Sequence, residues 1–344
     1  AARVIGGAER VLREQAHGLR RRGHQVSVVA RAPLNDPRPQ VSVDAIPEHR
    51  YHASRRNDPT FVLSSLVRSI QAFDQARGAA APDAVVIHQS LAGLGPVLRR
   101  RRQAGRWVYL CLSLAHDEYL SRTFLGTTVL ERVRHAFNAR LRRWCERAVM
   151  HRCAQVVVLS EFMKRRVLTT HALPEARLHI IPGAADPNRF RPPDDAVEVR
   201  RRLQLPLNRV LLLTVRNLVP RMGLENLVHA IEKLGENAHD LLVLIGGEGP
   251  LRPALERLIQ DLRLTDQVCL LGFIAEDLLP KYYQAADLVL MPTHELEGFG
   301  LVTVEALACG TPVLGTPVGA IPEVLARVAD LAAGPLTAEA LHDC

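Results

Sequence analysis

Short apolar runs rich in Val, Leu and Ile alternate with longer amphipathic stretches along nearly the whole chain, and this alternation restricts the fold more than any other feature. Strands separated by helices return in the same direction and build parallel sheets covered on both faces, whereas hairpin-joined strands would follow one another through short turns. In the first half the pattern predicts strands over residues 25–30, 84–88, 107–113, 155–160 and 178–182. Helices are expected between them over 8–22, 61–76, 92–102 and 130–150. The second half is more regular, with strands over 209–215, 241–245, 267–271, 288–291 and 312–315 and helices over 224–234, 250–262, 275–285 and 301–309. With 344 residues, 47% of them apolar, there is material for two cores. The expectation is an α/β protein of two doubly wound, Rossmann-like domains, residues 1–190 and 191–344. The boundary falls where RFRPPDD combines proline and charge after a strand. The chain opens on RVIGGAERV, already in a glycine loop that enters a helix. The first strand of a doubly wound sheet is usually central, so the first domain reads as lacking that strand, and both ends of the chain read as cut.

One stretch carries more chemistry than its neighbours. The strand over 288–291 delivers the chain into PTHELEGFG, and a helix starts at Leu301. Open α/β sheets bind ligands at the carboxyl ends of their strands. Gly298 and Gly300 have no Cβ, so their backbone can approach a ligand closely and adopt positive φ. The amides that open the helix, with the positive end of its dipole, suit a diphosphate. Glu297 and Glu305 would repel that anion, and instead suit hydroxyl donors on either side of it. Hexose, diphosphate and ribose in series have this layout. The plainer alternative is a capping carboxylate plus a surface glutamate.

Charge is distributed unevenly. The net +8 divides into 31 Lys+Arg against 15 Asp+Glu over residues 1–190 and 13 against 21 over the remainder. Lysine occurs only at Lys164, Lys233 and Lys281, so the positive charge is almost all arginine. A basic half suits an anionic membrane surface, a phosphorylated acceptor or nucleic acid, and equally a solvated arginine-rich face. Nucleic acid is disfavoured, because the basic segments lack interleaved aromatics and any reader motif. No apolar run reaches the 18 or so residues needed to cross a bilayer. Six scattered cysteines without CxxC spacing read as buried thiols of a reducing compartment, and no acidic pair of the DxD type is placed to hold a metal.

ELEGFGLVTVEALACGTPVLGTPVGAIPEV resembles the donor-site signature of family four of the retaining glycosyltransferases, whose GT-B fold sets two facing Rossmann-like domains about a cleft. GGAERVLREQAHGLRRRGHQVSVV, VVVLSEFMKRRV, IIPGAADPNRFRP, LLTVRNLVPRMGLENL, IGGEGPLRPALERLI and CLLGFI match the family in order, so the resemblance covers nearly the whole chain. It implies transfer of a hexosyl group from a UDP-, GDP- or ADP-sugar to a hydroxyl acceptor, with retained configuration and without metal or other cofactor. It implies that Glu297 binds donor hydroxyls and Glu305 the ribose, and that amides from Phe299 to Leu301 meet sugar and diphosphate. Gly6 and Gly7 would lie under the diphosphate, Gly247 and Gly249 near the nucleotide, and Phe273 and Ile274 along the base edge. For the last four, plain turn chemistry is the alternative.

The family pattern is broken in places. A loop of the form GRLVPxKG is replaced by residues 215–223, VRNLVPRMG, which puts Asn217 at the usual Arg and Met222 at the usual Lys. Arg216 and Arg221 stand one residue earlier in each case, and substitute for the lost phosphate cations only if the loop shifts; otherwise each is a surface arginine. Leu112 stands where relatives often carry a His, and His116 four residues on is a weaker catalytic candidate against the reading of a solvated loop histidine. Each lost donor at a developing anion removes on the order of 100- to 1000-fold in rate, so reduced activity is expected. The reading is therefore a cytoplasmic glycosyltransferase, with a lipid-linked acceptor and peripheral contact to the inner membrane face suggested by the basic half. A catalytically degenerate nucleotide-sugar or partner binder is the alternative, followed by a nucleic-acid binder and a GT-B epimerase.

Overall fold

The computed structural model describes residues 6–33, 36–54, 58–78, 81–99, 106–121 and 128–326. The chain folds into two compact units, residues 1–120, 124–159 and 164–181 in the first and 121–123, 160–163 and 182–344 in the second.

In the first unit α1 (Gly7–Arg21) precedes β1 (Val28–Arg31), β2 (Gln40–Val43) and β3 (Ile46–Tyr51). These strands form one sheet in the order β1-β3-β2, with β1 parallel and β2 antiparallel to β3. Then come α2 (Asp58–Arg77), β4 (Val85–Ile87), α3 (Ser90–Arg99), β5 (Trp107–Cys111), α4 (Ala115–Leu120), α5 (Val129–Met150), β6 (Gln155–Val158), α6 (Glu161–His171), which belongs to this unit from Lys164 on, and β7 (Leu178–Ile180). The second sheet, β4-β5-β6-β7, is wholly parallel. Among the described residues β1 and β4 share no ladder. The β2–β3 hairpin is absent from the sequence reading because its two-residue turn is Asp44-Ala45, without the glycine that usually marks such a turn. Both turn residues have positive φ, 51° and 60°. The conformation is held from α1: Arg13 and His17 pair with the Asp44 carboxylate at 2.5 and 3.2 Å, and Arg20 donates to the Asp44 carbonyl at 2.7 Å.

The second unit follows α7 (Ala196–Arg202) with β8 (Val210–Val215), α8 (Leu224–Leu234), β9 (Leu241–Gly246), α9 (Arg252–Asp261), β10 (Val268–Gly272), α10 (Leu279–Ala285), β11 (Leu288–Met291), α11 (Leu301–Ala308), β12 (Val313–Gly315) and α12 (Ile321–Ala326). All five strands are parallel, in the order β10-β9-β8-β11-β12. The apolar runs are continuous because the sheet is buried on both faces. Leu212, Val243 and Ile245 point into one core and Leu213, Leu244 and Val289 into the other. Each such leucine contributes about 1.5–3 kcal/mol by leaving water.

Differences from the expected bounds have local causes. α10 starts at Leu279 rather than 275 because Pro280 occupies its first turn, where a missing N–H is harmless; α9 starts at Arg252 with Pro253 in the same role. The tail of the helix expected over 92–102 lies outside the described residues, as does Cys344. Cys111, Cys145, Cys153 and Cys309 are buried, and burial pushes the thiols of Cys145 and Cys309 up to about 11. Cys269 departs from the buried-thiol expectation: it faces solvent on β10.

Candidate functional site

In the second unit the strand order reverses between β8 and β11. Connections on either side of that point lead away in opposite directions, so the loops leaving the carboxyl ends of β8 and β11 part and leave a crevice. β8 runs into Arg216 and β11 into Pro292–Gly300, and the two loops are tied by an ion pair. Arg216 Nη1 donates to Glu297 Oε2 at 2.7 Å, and Nη2 to Thr293 Oγ1 at 2.7 Å and to Met291 Sδ at 3.1 Å. The two charged side chains are only 6% and 13% exposed. The surface reading of Arg216 is thereby corrected. Its backbone N–H bonds Gly246 O at 2.8 Å, the last bond of the β8–β9 ladder.

The carboxylate-bearing loop is fixed from several sides. Gly223, at φ +69°, lies so close to Pro292 that a Cβ would fall 1.8 Å from its carbonyl oxygen. The Arg221 carbonyl accepts from His294 N and Glu295 N at 2.9 and 3.1 Å, and Arg221 Nη1 donates to Leu296 O at 3.0 Å. Those bonds hold Leu296 at φ +57°, a conformation a leucine rarely adopts. Ala320 N donates to Glu297 O at 2.9 Å, and Ser160 Oγ to Gly298 O at 2.7 Å. Arg221 is thus a brace of the loop rather than a surface side chain. It also borders a pocket of about 320 Å³ shared with Glu225, Asn226, His294 and Glu295.

Gly300 has φ +83° and caps α11 without a side-chain bond, so the first amides of that helix are not consumed by a cap. Gly298, in contrast to the expectation, is not among the positive-φ residues; the Ser160 bond to its carbonyl is what distinguishes it. Phe299 is 7% exposed, and the side chains of Phe299 and Leu301 pack so closely on Gly183 that a Cβ there would meet them at 2.7 and 2.8 Å. Glu305, in the second turn of α11, is 2% exposed and accepts from Tyr283 Oη at 3.0 Å.

The remaining predicted residues divide by environment. Asn217 is exposed. Met222 is 5% exposed and packs in the core with Leu224, Leu227 and Leu255, so it is corrected from a ligand-facing to a core position; the short 3-10 turn Pro220–Met222 rotates it inward. Gly247 and Gly249 serve close backbone packing, since a Cβ on either would lie 1.8 Å from Arg216 O or 2.3 Å from Leu218 O. Ile274 presses on Gly246, and Phe273 beside it is half-buried. Gly6 and Gly7 lie in the first unit at the start of α1, with Gly6 as an extended N-cap at φ −158°. His116 is corrected from a solvated loop residue: it is 6% exposed in the first turn of α4, with Nδ1 2.5 Å from Glu146 Oε2.

Thr293, Tyr283 and Ser160 are missed by sequence reasoning. For Tyr283 a signal existed, because a tyrosine on the buried face of an amphipathic helix needs a partner for its hydroxyl. For Thr293 and Ser160 nothing in the local sequence separates them from other loop hydroxyls.

Residues 5–189 match the model of Glycosyltransferase Family 4 and residues 195–342 that of Glycosyl transferases group 1. The GDP-mannose-dependent alpha-(1-6)-phosphatidylinositol monomannoside mannosyltransferase of Mycolicibacterium smegmatis is 29% identical over 255 residues, 72% of this chain and 59% of that protein. The D-inositol 3-phosphate glycosyltransferase of Xylanimonas cellulosilytica is 28% identical over 342 residues, 93% of this chain and 77% of that protein. Against several of the curated relatives it matches, the chain spans about half their length. The structure of sucrose-phosphate synthase from Thermosynechococcus elongatus superposes with a TM-score of 0.81 at 24% identity, covering 100% of this chain and 85% of that one. The fold is of the α/β GT-B class.

Proposed function

The chain belongs to glycosyltransferase family 4, and from that premise we propose that it moves a hexosyl group from a nucleoside diphosphate sugar to a hydroxyl acceptor with retained configuration. The observation that carries the reading is the inward Arg216–Glu297 pair at the switch point, beside the uncapped start of α11. Glu297 keeps one carboxylate oxygen on Arg216 and offers the other to donor sugar hydroxyls. The amides of Leu301 and its neighbour take the diphosphate, and Glu305, oriented by Tyr283, takes the ribose. Bond breaking at C1 builds negative charge on the leaving diphosphate, and donors already fixed in place stabilise it without reorganisation. Arg216 adds positive potential at that point, and the leaving phosphate itself takes the acceptor's proton.

The acceptor is proposed to be lipid-linked, met at the inner face of the membrane. Among the described residues no helix is long and apolar enough to cross a bilayer. α5 nevertheless exposes Leu130, Val133, Phe137 and Trp144, at 78%, 59%, 57% and 56%, along one helical stripe. Exposed Arg132, Arg134, Arg140, Arg143 and Arg147 accompany it. An apolar stripe flanked by arginines suits an anionic lipid surface. The matched mannosyltransferase bears a phosphatidylinositol lipid in its name, which favours the same acceptor class.

Calorimetry with UDP-glucose, GDP-mannose and ADP-glucose tests the donor reading. One of them is expected to bind, with binding lost in Glu305→Ala and sugar transferred to a lipid acceptor. Binding of none refutes it. A degenerate binder, favoured by exposed Asn217 and buried Met222, would bind a donor without yielding product.

A further inference from the structure

Three side chains of the first unit meet out of reach of solvent, and neither donor binding nor sugar transfer uses them. Glu146 on α5 is fully buried between two imidazoles. His116 on α4 brings Nδ1 to 2.5 Å from Glu146 Oε2, and His171, the last residue of α6, brings Nε2 to 3.7 Å from the same oxygen. His171 is 0% exposed, and neither of its ring nitrogens has a hydrogen-bond partner. One ligand atom from each of the three lies within 4.8 Å of the others.

A shared proton does not resolve this arrangement. Protonating His116 balances the carboxylate but leaves both nitrogens of His171 without partners, and each buried orphan costs about 1–3 kcal/mol. A divalent cation takes a lone pair from each imidazole and the charge of the carboxylate, so it balances Glu146 and satisfies His171 Nε2, leaving only His171 Nδ1 without a partner. We propose that His116 Nδ1, Glu146 Oε2 and His171 Nε2 hold one divalent transition cation, with zinc the best match to a two-imidazole, one-carboxylate donor set.

The surroundings have the form that metal sites use to orient their ligands. Glu146 Oε1 accepts from Ala115 N at 2.5 Å, which fixes the carboxylate against the start of α4. His116 Nε2 lies 3.4 Å from Asp117 Oδ1, and Asp117 is itself paired with Arg166. His151 Nε2 bonds the His171 carbonyl at 3.0 Å and holds the end of α6. Tetrahedral bonds of about 2.0–2.1 Å place ligand atoms roughly 3.3 Å apart, so the His116–Glu146 contact opens and the His171 contact closes, each by a small side-chain movement. Such an ion clamps α4, α5 and α6 together. Its role is structural, and it is independent of the transfer reaction proposed above.

The test uses the full chain produced with zinc and freed of loose metal by desalting. Metal analysis is expected to find about one equivalent per chain. Cobalt loaded in its place is expected to show visible ligand-field bands that are lost in His171→Gln, and a chelator to lower the melting temperature. His171→Gln and Glu146→Gln are expected to lose the equivalent and the chelator response, and His151→Gln to keep the metal. Absence of metal with a melting temperature indifferent to chelator overturns the proposal and leaves a Glu–His hydrogen-bonded pair. Metal content unchanged in His171→Gln overturns it as well. If either variant fails to fold, the cobalt spectrum and a zinc titration of the wild-type chain against a chromophoric chelator still decide.

Discussion

Arg216→Met and Glu297→Gln, singly and together, form a cycle that measures the ion pair joining the two loops of the candidate site. Two unit charges about 4 Å apart attract by about 4 kcal/mol at an effective dielectric near 20, and desolvation of both groups takes back part of that. Removing either partner strands the other charge where only 6% or 13% of the side chain meets water. Breaking a buried pair in this way costs about 3–5 kcal/mol, and the residual exposure of Glu297 argues for the lower end. Arg216→Met also leaves the Thr293 hydroxyl without its donor. Each single change is therefore expected to destabilise by about 3 kcal/mol, a drop of roughly 6–12 °C for a unit of this size. The double change strands no charge, so it is expected to fall short of the sum by about 2 kcal/mol. Denaturant unfolding of the four proteins supplies the numbers, and donor titration of the same four asks whether the pair also shapes the site. Additivity within about 0.5 kcal/mol would refute the pairing, and with it the placement of Arg216 as the cation of this crevice.

Gly319→Ala places a Cβ 2.2 Å from Glu297 O at a residue with φ +64°; it is expected to destabilise by about 1–3 kcal/mol and abolish donor binding in calorimetry, and unchanged affinity would dismiss the idea that this contact sets the loop. Tyr283→Phe is expected to weaken nucleotide binding several-fold at a stability cost of about 1–2 kcal/mol, because the Glu305 carboxylate loses a buried donor; equal affinity speaks against Glu305 as the ribose ligand. Met222→Lys buries an ammonium among leucines and is expected to cost about 2–3 kcal/mol without accelerating transfer; a faster enzyme of normal stability would restore the ligand-facing assignment. Burial lowers the His88 imidazole from 6.5 to about 4. The unfolded chain therefore binds the extra proton first, and stability is expected to decline by about 3 kcal/mol as pH falls from 6.5 to 4. His88→Leu should flatten that slope in acid unfolding curves, and an unchanged slope would place the titration elsewhere.

The fold was legible because parallel strands buried on both faces leave a signal in every residue. The runs at β8, β9 and β11 are almost wholly apolar and are separated by helices of the length a crossover needs. The β2–β3 hairpin was not legible, since its Asp44-Ala45 turn depends on three side chains of α1 that lie 24 to 31 residues away. The same contrast holds at the site. Gly300, Leu301 and Glu305 are marked by their order in one short segment, where a glycine must precede a helix whose second turn carries a carboxylate. Thr293 and Ser160 shape the site through bonds to partners 77 and 138 residues away, which local sequence does not record. His171 shows the limit most clearly: the sequence reading places no helix over its segment, yet it ends α6 and the fold buries it completely near Glu146.

The loop after β8 shows why a residue missing from an expected position is weak evidence of a missing function. The expected register assigns the inward cation to the second residue past the strand, which is Asn217, and so counts the charge as lost. Arg216 N bonds Gly246 O, the last bond of the β8–β9 ladder, so the backbone of Arg216 is fixed where the strand ends. Side chains alternate across a strand, and Leu213 and Val215 face one core while Leu212 faces the other. The Arg216 side chain leaves the end of β8 toward the end of β11, where Met291, Thr293 and Glu297 receive it. Gly247 then has to pass the Arg216 carbonyl without a Cβ, at φ +135°. The arginine, the glycine and the glutamate are consequently one arrangement on three loops. An arginine one residue before the expected position therefore still meets Glu297 at 2.7 Å.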